Sequence, residues 1–232
     1  MSILCVDNID VSYGDTRVID GISIDCASDE ILAVLGRNGM GKTTLLKSLA
    51  GVLSVDSGVI MFDNTEITTL AAHERAARGV TLIPQGRDIF PDLTVAENLR
   101  MGAFAATDRD PLDKNIIYDY FPILQERADQ RGGTLSGGQQ QMLAIARGLM
   151  TNPKLILLDE PSEGIQPSIV DKIGTIITDI HRKEEIPIVL VEQNADLVFS
   201  VAHRGYIIEN GRVVEERSID KLQDDDLLKD RI

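Results

Sequence analysis

At 232 residues, 43% of them hydrophobic and 26% charged, the chain can bury a real core as one domain with a subdomain or as two small domains. Its formal net charge of −14 opposes nonspecific contact with nucleic acid or acidic lipid. Cys5 and Cys26 are too few for a disulfide framework or a cysteine zinc site and are expected as small buried hydrophobes.

In chain order, the start Met1-Ser2-Ile3-Leu4-Cys5 is expected to carry no signal peptide. No apolar run nears the length of about 18 residues that spans a bilayer. Ile3 to Tyr13 and Val18 to Cys26 alternate apolar and polar residues around a turn at Gly14-Asp15, which predicts two strands of a small antiparallel sheet. The ring of Tyr13 can stack on a nucleobase. A lone tyrosine in a strand is more commonly a core residue.

Ile31-Leu32-Ala33-Val34-Leu35 is a continuous apolar run, as in a buried parallel strand. Gly36-Arg37-Asn38-Gly39-Met40-Gly41-Lys42-Thr43 follows at once with the spacing G-x-x-x-x-G-K-[ST]. Glycines at those positions let successive N–H groups turn inward as an anion nest at the positive end of a helix. Lys42 is placed to reach the β- and γ-phosphates, and the Thr43 hydroxyl to hold Mg²⁺. The helix continues as an amphipathic stripe of Leu45, Leu46, Leu49 and Val52.

Ser57 to Phe62 predicts a turn and strand, His73 to Arg78 a helix face in solvent, and Val80 to Ile83 another short strand ended by Pro84-Gln85. From about Gly86 to Met150 strand runs give way to helical spacing, which predicts a helical insertion. Thr94 and Glu97 form a capping box before a helix with apolar Val95, Leu99 and Met101. Asp108 to Asp113 reads as a polar loop, and Ile116 to Gln130 as helix bent near Pro122. Ser136 and Gln139, within Leu135-Ser136-Gly137-Gly138-Gln139, form a second capping box at the head of a helix striped by Met142, Leu143, Ala146, Leu149 and Met150. Taken alone, that segment is equally a well-capped core helix.

Leu155-Ile156-Leu157-Leu158 predicts a buried strand with Asp159 and Glu160 at its C-terminal end, where open α/β sheets bind ligands. Asp159 is a candidate for Mg²⁺ and Glu160 for orienting or deprotonating a water. Ile186 to Val191 predicts another strand, ending at Glu192-Gln193-Asn194, and Asn210-Gly211 the turn of a hairpin. Asp224-Asp225-Asp226 reads as a solvated helix end.

Together these motifs resemble the ATPase subunit of ABC transporters over nearly the whole chain. The resemblance implies an α/β fold: a P-loop NTPase of the ABC ATPase type, with a RecA-like core, an N-terminal antiparallel β subdomain and a helical subdomain. It implies one ABC ATPase domain over 1–232, with 1–85 and 151–232 as core and antiparallel sheet and 86–150 as the helical part. Tyr13 falls where the family stacks adenine. Gly36, Arg37, Asn38, Gly39, Met40, Gly41, Lys42, Thr43 and Thr44 match the phosphate loop, and Gln85 the glutamine that senses Mg²⁺ and the attacking water. Ser136, Gly137, Gly138 and Gln139 match the signature that covers a partner's ATP, and Asp159 and Glu160 the metal and catalytic carboxylates.

Two positions depart from the family pattern: Gln193 stands where a histidine contacts the γ-phosphate, and Gln166 where an aspartate bridges the dimer. Pro84 to Val95, Glu160 to Ser168 and Val191 to Asn194 look more closely like the branched-chain amino-acid, urea and short-chain amide uptake group, in particular its second, smaller ATPase. The implied partners are a second ATPase subunit or a second copy of this chain, two integral-membrane permeases and an extracytoplasmic binding protein, without nucleic acid. The implied cofactors are ATP and Mg²⁺, at the cytoplasmic inner face of the membrane through the permeases. A second reading is a nucleotide-gated clamp with weak hydrolysis that completes a partner's site. A third, service in DNA repair or translation, ranks below both, because the chain has no tandem cassette or coiled insertion.

Overall fold

The computed structural model describes residues 1–106 and 110–223; Asp224 to Asp226 and part of the loop expected from Asp108 lie outside them. The chain begins with β1 (Ser2–Tyr13) and β2 (Thr16–Ala27), a long antiparallel pair. The phosphate-loop strand β3 (Ile31–Leu35) and helix α1 (Lys42–Leu49) follow. Next come β4 (Ser57–Phe62), the short β5 (Thr65–Glu66), α2 (Ala72–Arg78) and β6 (Val80–Ile83). A helical stretch holds α3 (Val95–Phe104), α4 (Lys114–Tyr120), α5 (Pro122–Glu126) and α6 (Gly137–Leu149). The chain returns through β7 (Leu155–Asp159), α7 (Pro167–Glu184), β8 (Ile188–Glu192) and α8 (Ala195–Val201). It ends in the hairpin β9 (Arg204–Glu209) and β10 (Arg212–Ser218), then α9 (Ile219–Gln223).

Two sheets form, one ordered β2-β1-β4-β5 and one β10-β9-β3-β8-β7-β6. In the second sheet β9, β3, β8, β7 and β6 run parallel, and only β10 turns back. Its central strands β3, β7 and β8 are buried throughout and apolar except for Asp159 and Glu192 at the ends of β7 and β8, because both faces are covered. Ile31, Ala33 and Leu35 of β3 join the cluster under the helices α6, α7 and α8, whereas Leu32 and Val34 join the cluster with α1 and the antiparallel sheet. Arg204 ties the two sheets together: its guanidinium donates to Glu30 Oε1 at 2.6 Å and to the Asp25 carbonyl at 2.7 Å.

Local expectations meet the tertiary structure unevenly. Both capping boxes form, with Thr94 Oγ1 accepting from the Glu97 N–H at 3.2 Å and Ser136 Oγ from the Gln139 N–H at 3.4 Å. The expected single bent helix from Ile116 is two helices meeting at Phe121, because Pro122 has no N–H to continue the first ladder. The stripe of α1 stops at Leu49, so Val52 lies beyond the helix and is 55% exposed. Met101 faces a surface groove instead of the core, and Cys5 is exposed while Cys26 is buried.

The largest correction concerns α2. Its expected solvated face contains Arg75, which is only 1% exposed. The guanidinium donates to the carbonyls of Ser48 (2.6 Å), Leu49 (2.9 Å), Thr68 (2.7 Å) and Leu70 (3.0 Å). Two of these are end-of-helix carbonyls of α1, which have no partner within their own helix. Arg75 thus anchors the helix that carries Lys42 and Thr43 at its other end. Arg75→Met is expected to lower stability by about 3 kcal/mol, because the carbonyls of Leu49, Thr68 and Leu70 lose the guanidinium donor and that of Ser48 keeps only the Gly51 N–H. Equilibrium urea denaturation measures it.

Candidate nucleotide site

The site lies at the C-terminal ends of three adjacent strands. β8 runs between β3 and β7, with Leu35 paired to Glu192 and Asp159 to Val191. The loops that follow therefore converge: the phosphate loop from β3, Glu160 from β7 and Gln193 from β8. A cleft of about 260 Å³ is lined by Tyr13, Val18, Asn38, Gly39, Gly41, Lys42, Thr43, Thr44, Gln85 and Glu160. Tyr13 is 49% exposed at this cleft, so it is no core residue. Val18, on β2, had no signal in the sequence.

Gly41 is the N-cap of α1, with a φ of 101° that strains any side chain, and a Cβ there would also crowd Ile19 Cδ1 at 2.9 Å and the Val18 carbonyl at 3.2 Å. No side chain caps this helix, so its first N–H groups face the loop. The Lys42 ammonium is buried and donates to the carbonyls of Gly36 (2.6 Å) and Arg37 (3.1 Å), with Glu160 Oε1 3.5 Å away. Burial lowers its pKa, and the Glu160 charge opposes that shift. Met40 turns its thioether to the hairpin, accepting from the Asn210 N–H at 3.2 Å, so it serves the loop through its backbone.

Glu160 gathers the remaining donors. Gln193 Nε2 donates to its Oε1 at 2.7 Å and to Asn38 Oδ1 at 2.8 Å. Gln85 Nε2 donates to Glu160 Oε2 at 3.3 Å and to Glu163 Oε2 at 3.0 Å. Thr43 Oγ1 donates to Asp159 Oδ1 at 3.2 Å, which brings two hard oxygens together at the buried end of the loop. Asp159 is pushed up to about 6, chiefly by burial, against the Thr43 bond. The Thr43 hydroxyl and Asp159 carboxylate, with Gln85 lining the same cleft as Thr43, supply oxygen donors of the kind a hard divalent cation prefers.

Ser136, Gly137, Gly138 and Gln139 do not line this cleft among the described residues. They open α6 instead, and Gly138 has a reason within the chain: a Cβ there would sit 2.5 Å from Ile169 Cγ2 of α7. Arg87, unnoticed in the sequence, lies against this helix head. Its guanidinium donates to Gln140 Oε1 at 3.2 Å and to the Glu163 carbonyl at 3.5 Å, and a Cβ on Gly137 would sit 3.2 Å from it. Gln166 is exposed at the start of α7 and its side chain does not cap that helix.

A glycine loop between a buried parallel strand and an uncapped helix, with carboxylates on the strand two places away, defines a P-loop nucleotide-binding fold. The comparisons carry this further. The ABC transporter family model matches residues 19–163. The chain is 43% identical to the high-affinity branched-chain amino acid transport ATP-binding protein BraG of Pseudomonas aeruginosa, over 91% of each chain. It is 36% identical to the lipopolysaccharide export system ATP-binding protein LptB of Haemophilus influenzae, over 99% of this chain and 96% of that one. A crystallised ATP-binding cassette of an ABC transporter in its ADP conformation superposes with a TM-score of 0.87 at 28% identity, covering 99% of this chain and 98% of the other. The chain belongs to the ABC transporter family as an ATP-binding subunit, an ATP hydrolase coupled to transport.

The raised Asp159 pKa has a stability consequence. Folded Asp159 holds its proton up to about pH 6, against 3.8 for the free group, so its contribution is complete below pH 4 and lost as pH rises through 6. Above that pH a buried charge opposes folding. In nucleotide-free protein Asp159→Asn is expected to be about 2 kcal/mol more stable than wild type at pH 8 and equal to it at pH 4. Denaturant midpoints across that range test it.

Proposed function

We propose that the chain is the ATP-binding and hydrolysing subunit of an ABC uptake transporter for branched-chain amino acids, with urea and short-chain amides as further cargoes of the same group. The likeness to BraG supports the cargo class; LptB, named for lipopolysaccharide export, is similar over the whole length too, so the mechanism is argued from this chain's own residues. In this reading Tyr13 stacks on adenine, and the N–H groups of Gly39, Met40, Gly41, Lys42, Thr43 and Thr44 bind the β- and γ-phosphates. Lys42 adds a point charge. Thr43, Asp159 and Gln85 hold Mg²⁺, which when bound neutralises charge on the phosphate oxygens.

Glu160 orients and deprotonates the attacking water. Gln193 fixes one carboxylate oxygen of Glu160 while its link to Asn38 keeps it at the phosphate loop. A glutamine donates a hydrogen bond without carrying charge, so it can serve here as a positioning group. A second ATPase subunit, or a second copy of this chain, covers the γ-phosphate with Ser136, Gly137, Gly138 and Gln139. Ser136 Oγ accepts from its own helix and keeps its O–H free to donate to an anion.

The division into 1–85 with 151–232 and the helical 86–150 supplies the moving part. Gln85 and Arg87 join its base to Glu160 and Glu163. A groove of about 270 Å³ lined by Phe90, Met101, Gly102, Ala105 and Arg147 suits an apolar helix end of a permease. No helix among the described residues is long and apolar enough to cross a membrane. In this reading membrane attachment runs through two permeases, at the cytoplasmic face, with an extracytoplasmic binding protein delivering cargo.

The observation that carries this reading is one carboxylate, Glu160, set beside the phosphate-loop lysine and two carboxamides. Glu160→Gln is expected to lower ATP turnover by at least about 100-fold with ATP affinity retained, whereas Lys42→Ala loses nucleotide binding. Turnover by the assembled transporter, with the binding protein loaded with leucine, urea or an amide, provides the assay and ranks the cargoes. Full hydrolysis by Glu160→Gln would remove Glu160 from its role. Transport unchanged by Lys42→Ala in this chain alone would leave a clamp without catalysis.

A further inference from the structure

Glu160 has a φ of 44°, in the left-handed region that side chains other than glycine enter only under constraint. Its own N–H donates to the Val191 carbonyl at 2.9 Å, and its carbonyl accepts from the Glu163 N–H at 3.2 Å. Between these two bonds, the Ser162 N–H donates to Glu192 Oε1 at 2.8 Å. The other oxygen of Glu192 accepts from the Gln193 N–H at 3.0 Å and the Asn194 N–H at 3.1 Å. Glu192 is 2% exposed, and its backbone is the last residue of β8.

One buried carboxylate thus grips two loops. On one side it holds the turn that aims Glu160; on the other it holds the backbone that aims Gln193. The side chains so aimed meet at 2.7 Å. We propose that Glu192 is a positioning residue for ATP hydrolysis, which keeps the strained Glu160 turn in register with Gln193. It touches neither nucleotide nor water. The inference rests on the ATPase reading above.

The chemistry explains the residue type. All three partners are N–H donors, so both oxygens must accept, as only an ionised carboxylate allows at this size. A glutamine keeps the volume but presents an NH₂ to at least one donor. Burial raises the Glu192 pKa, and the Asn194, Ser162 and Gln193 N–H groups, with the Ser162 hydroxyl, offset part of that cost. Glutamate here is therefore selected by hydrogen-bond polarity, not by packing.

The test compares Glu192→Gln, Glu160→Gln and the double variant with wild type, in the assembled transporter and at a temperature where all are folded. Glu192→Gln is expected to lower kcat about 10- to 100-fold, with KM and the Kd for a nonhydrolysable ATP analogue within about threefold. In the Glu160→Gln background the same change is expected to lower the residual turnover no further, because it acts only through that carboxylate. A kcat within twofold of wild type, or an equal loss in both backgrounds, overturns the proposal. Should Glu192→Gln not fold, Glu192→Asp takes its place with the same outcomes: it keeps an accepting carboxylate too short to reach both loops. Absence of turnover in the wild-type transporter overturns the ATPase reading and this inference together. Normal turnover in wild type and Glu192→Gln alike overturns the inference alone.

Discussion

The order of strands in one parallel sheet is the constraint on which this molecule depends. β8 lies between the strand that enters the phosphate loop and the strand that carries Asp159 and Glu160. Parallel strands all expose their C-terminal ends on one edge, so three loops distant in sequence share one small volume. Lys42, Glu160 and Gln193 meet there at hydrogen-bond distance, although the chain separates the last two by 33 positions. Had β8 stood at the sheet's edge, Gln193 could not have linked Asn38 to Glu160.

Charge is handled in this volume by neutral donors as much as by cations. Glu160 takes one ammonium and two carboxamides. Glu192 takes three backbone N–H groups. Carboxamides and amides stabilise an ionised carboxylate without competing for a triphosphate's negative charge. The strained backbone of Glu160 is held by separate bonds, to the Val191 carbonyl and from the Glu163 N–H, so backbone and side chain are each fixed by their own partners.

Helix ends serve twice in this fold. The head of α1 is left uncapped over the phosphate loop, and its tail is held by the buried Arg75. The head of α6 is capped by Ser136 and Gln139, yet Gly138 is fitted against Ile169 and Gly137 against Arg87. The segment that opens α6 therefore satisfies the packing of its own subunit, and in the proposed function its first backbone N–H groups would meet the ATP of a facing subunit.

The glycine loop, the apolar strands, the two capping boxes, the Asn210-Gly211 hairpin and the carboxylates at Asp159-Glu160 were all legible in the sequence. Each is a local pattern whose period or spacing has a direct backbone cause. What local patterns cannot carry is which side of an element meets another. Arg75 looked solvated because arginine on a short charged helix is normally exposed, and only the approach of α1 turns it inward. A lone strand tyrosine such as Tyr13 is more commonly core, and only the antiparallel sheet's position at the cleft left it open to solvent. Glu192 gave no signal at all, since its partners are backbone groups of two loops, one of them thirty positions away. The sequence by itself determined the elements and the chemistry of the phosphate loop, because these depend on neighbours along the chain. The tertiary structure alone decided which donors surround Glu160, because that depends on the lateral order of strands, and strand order is a property of the folded sheet.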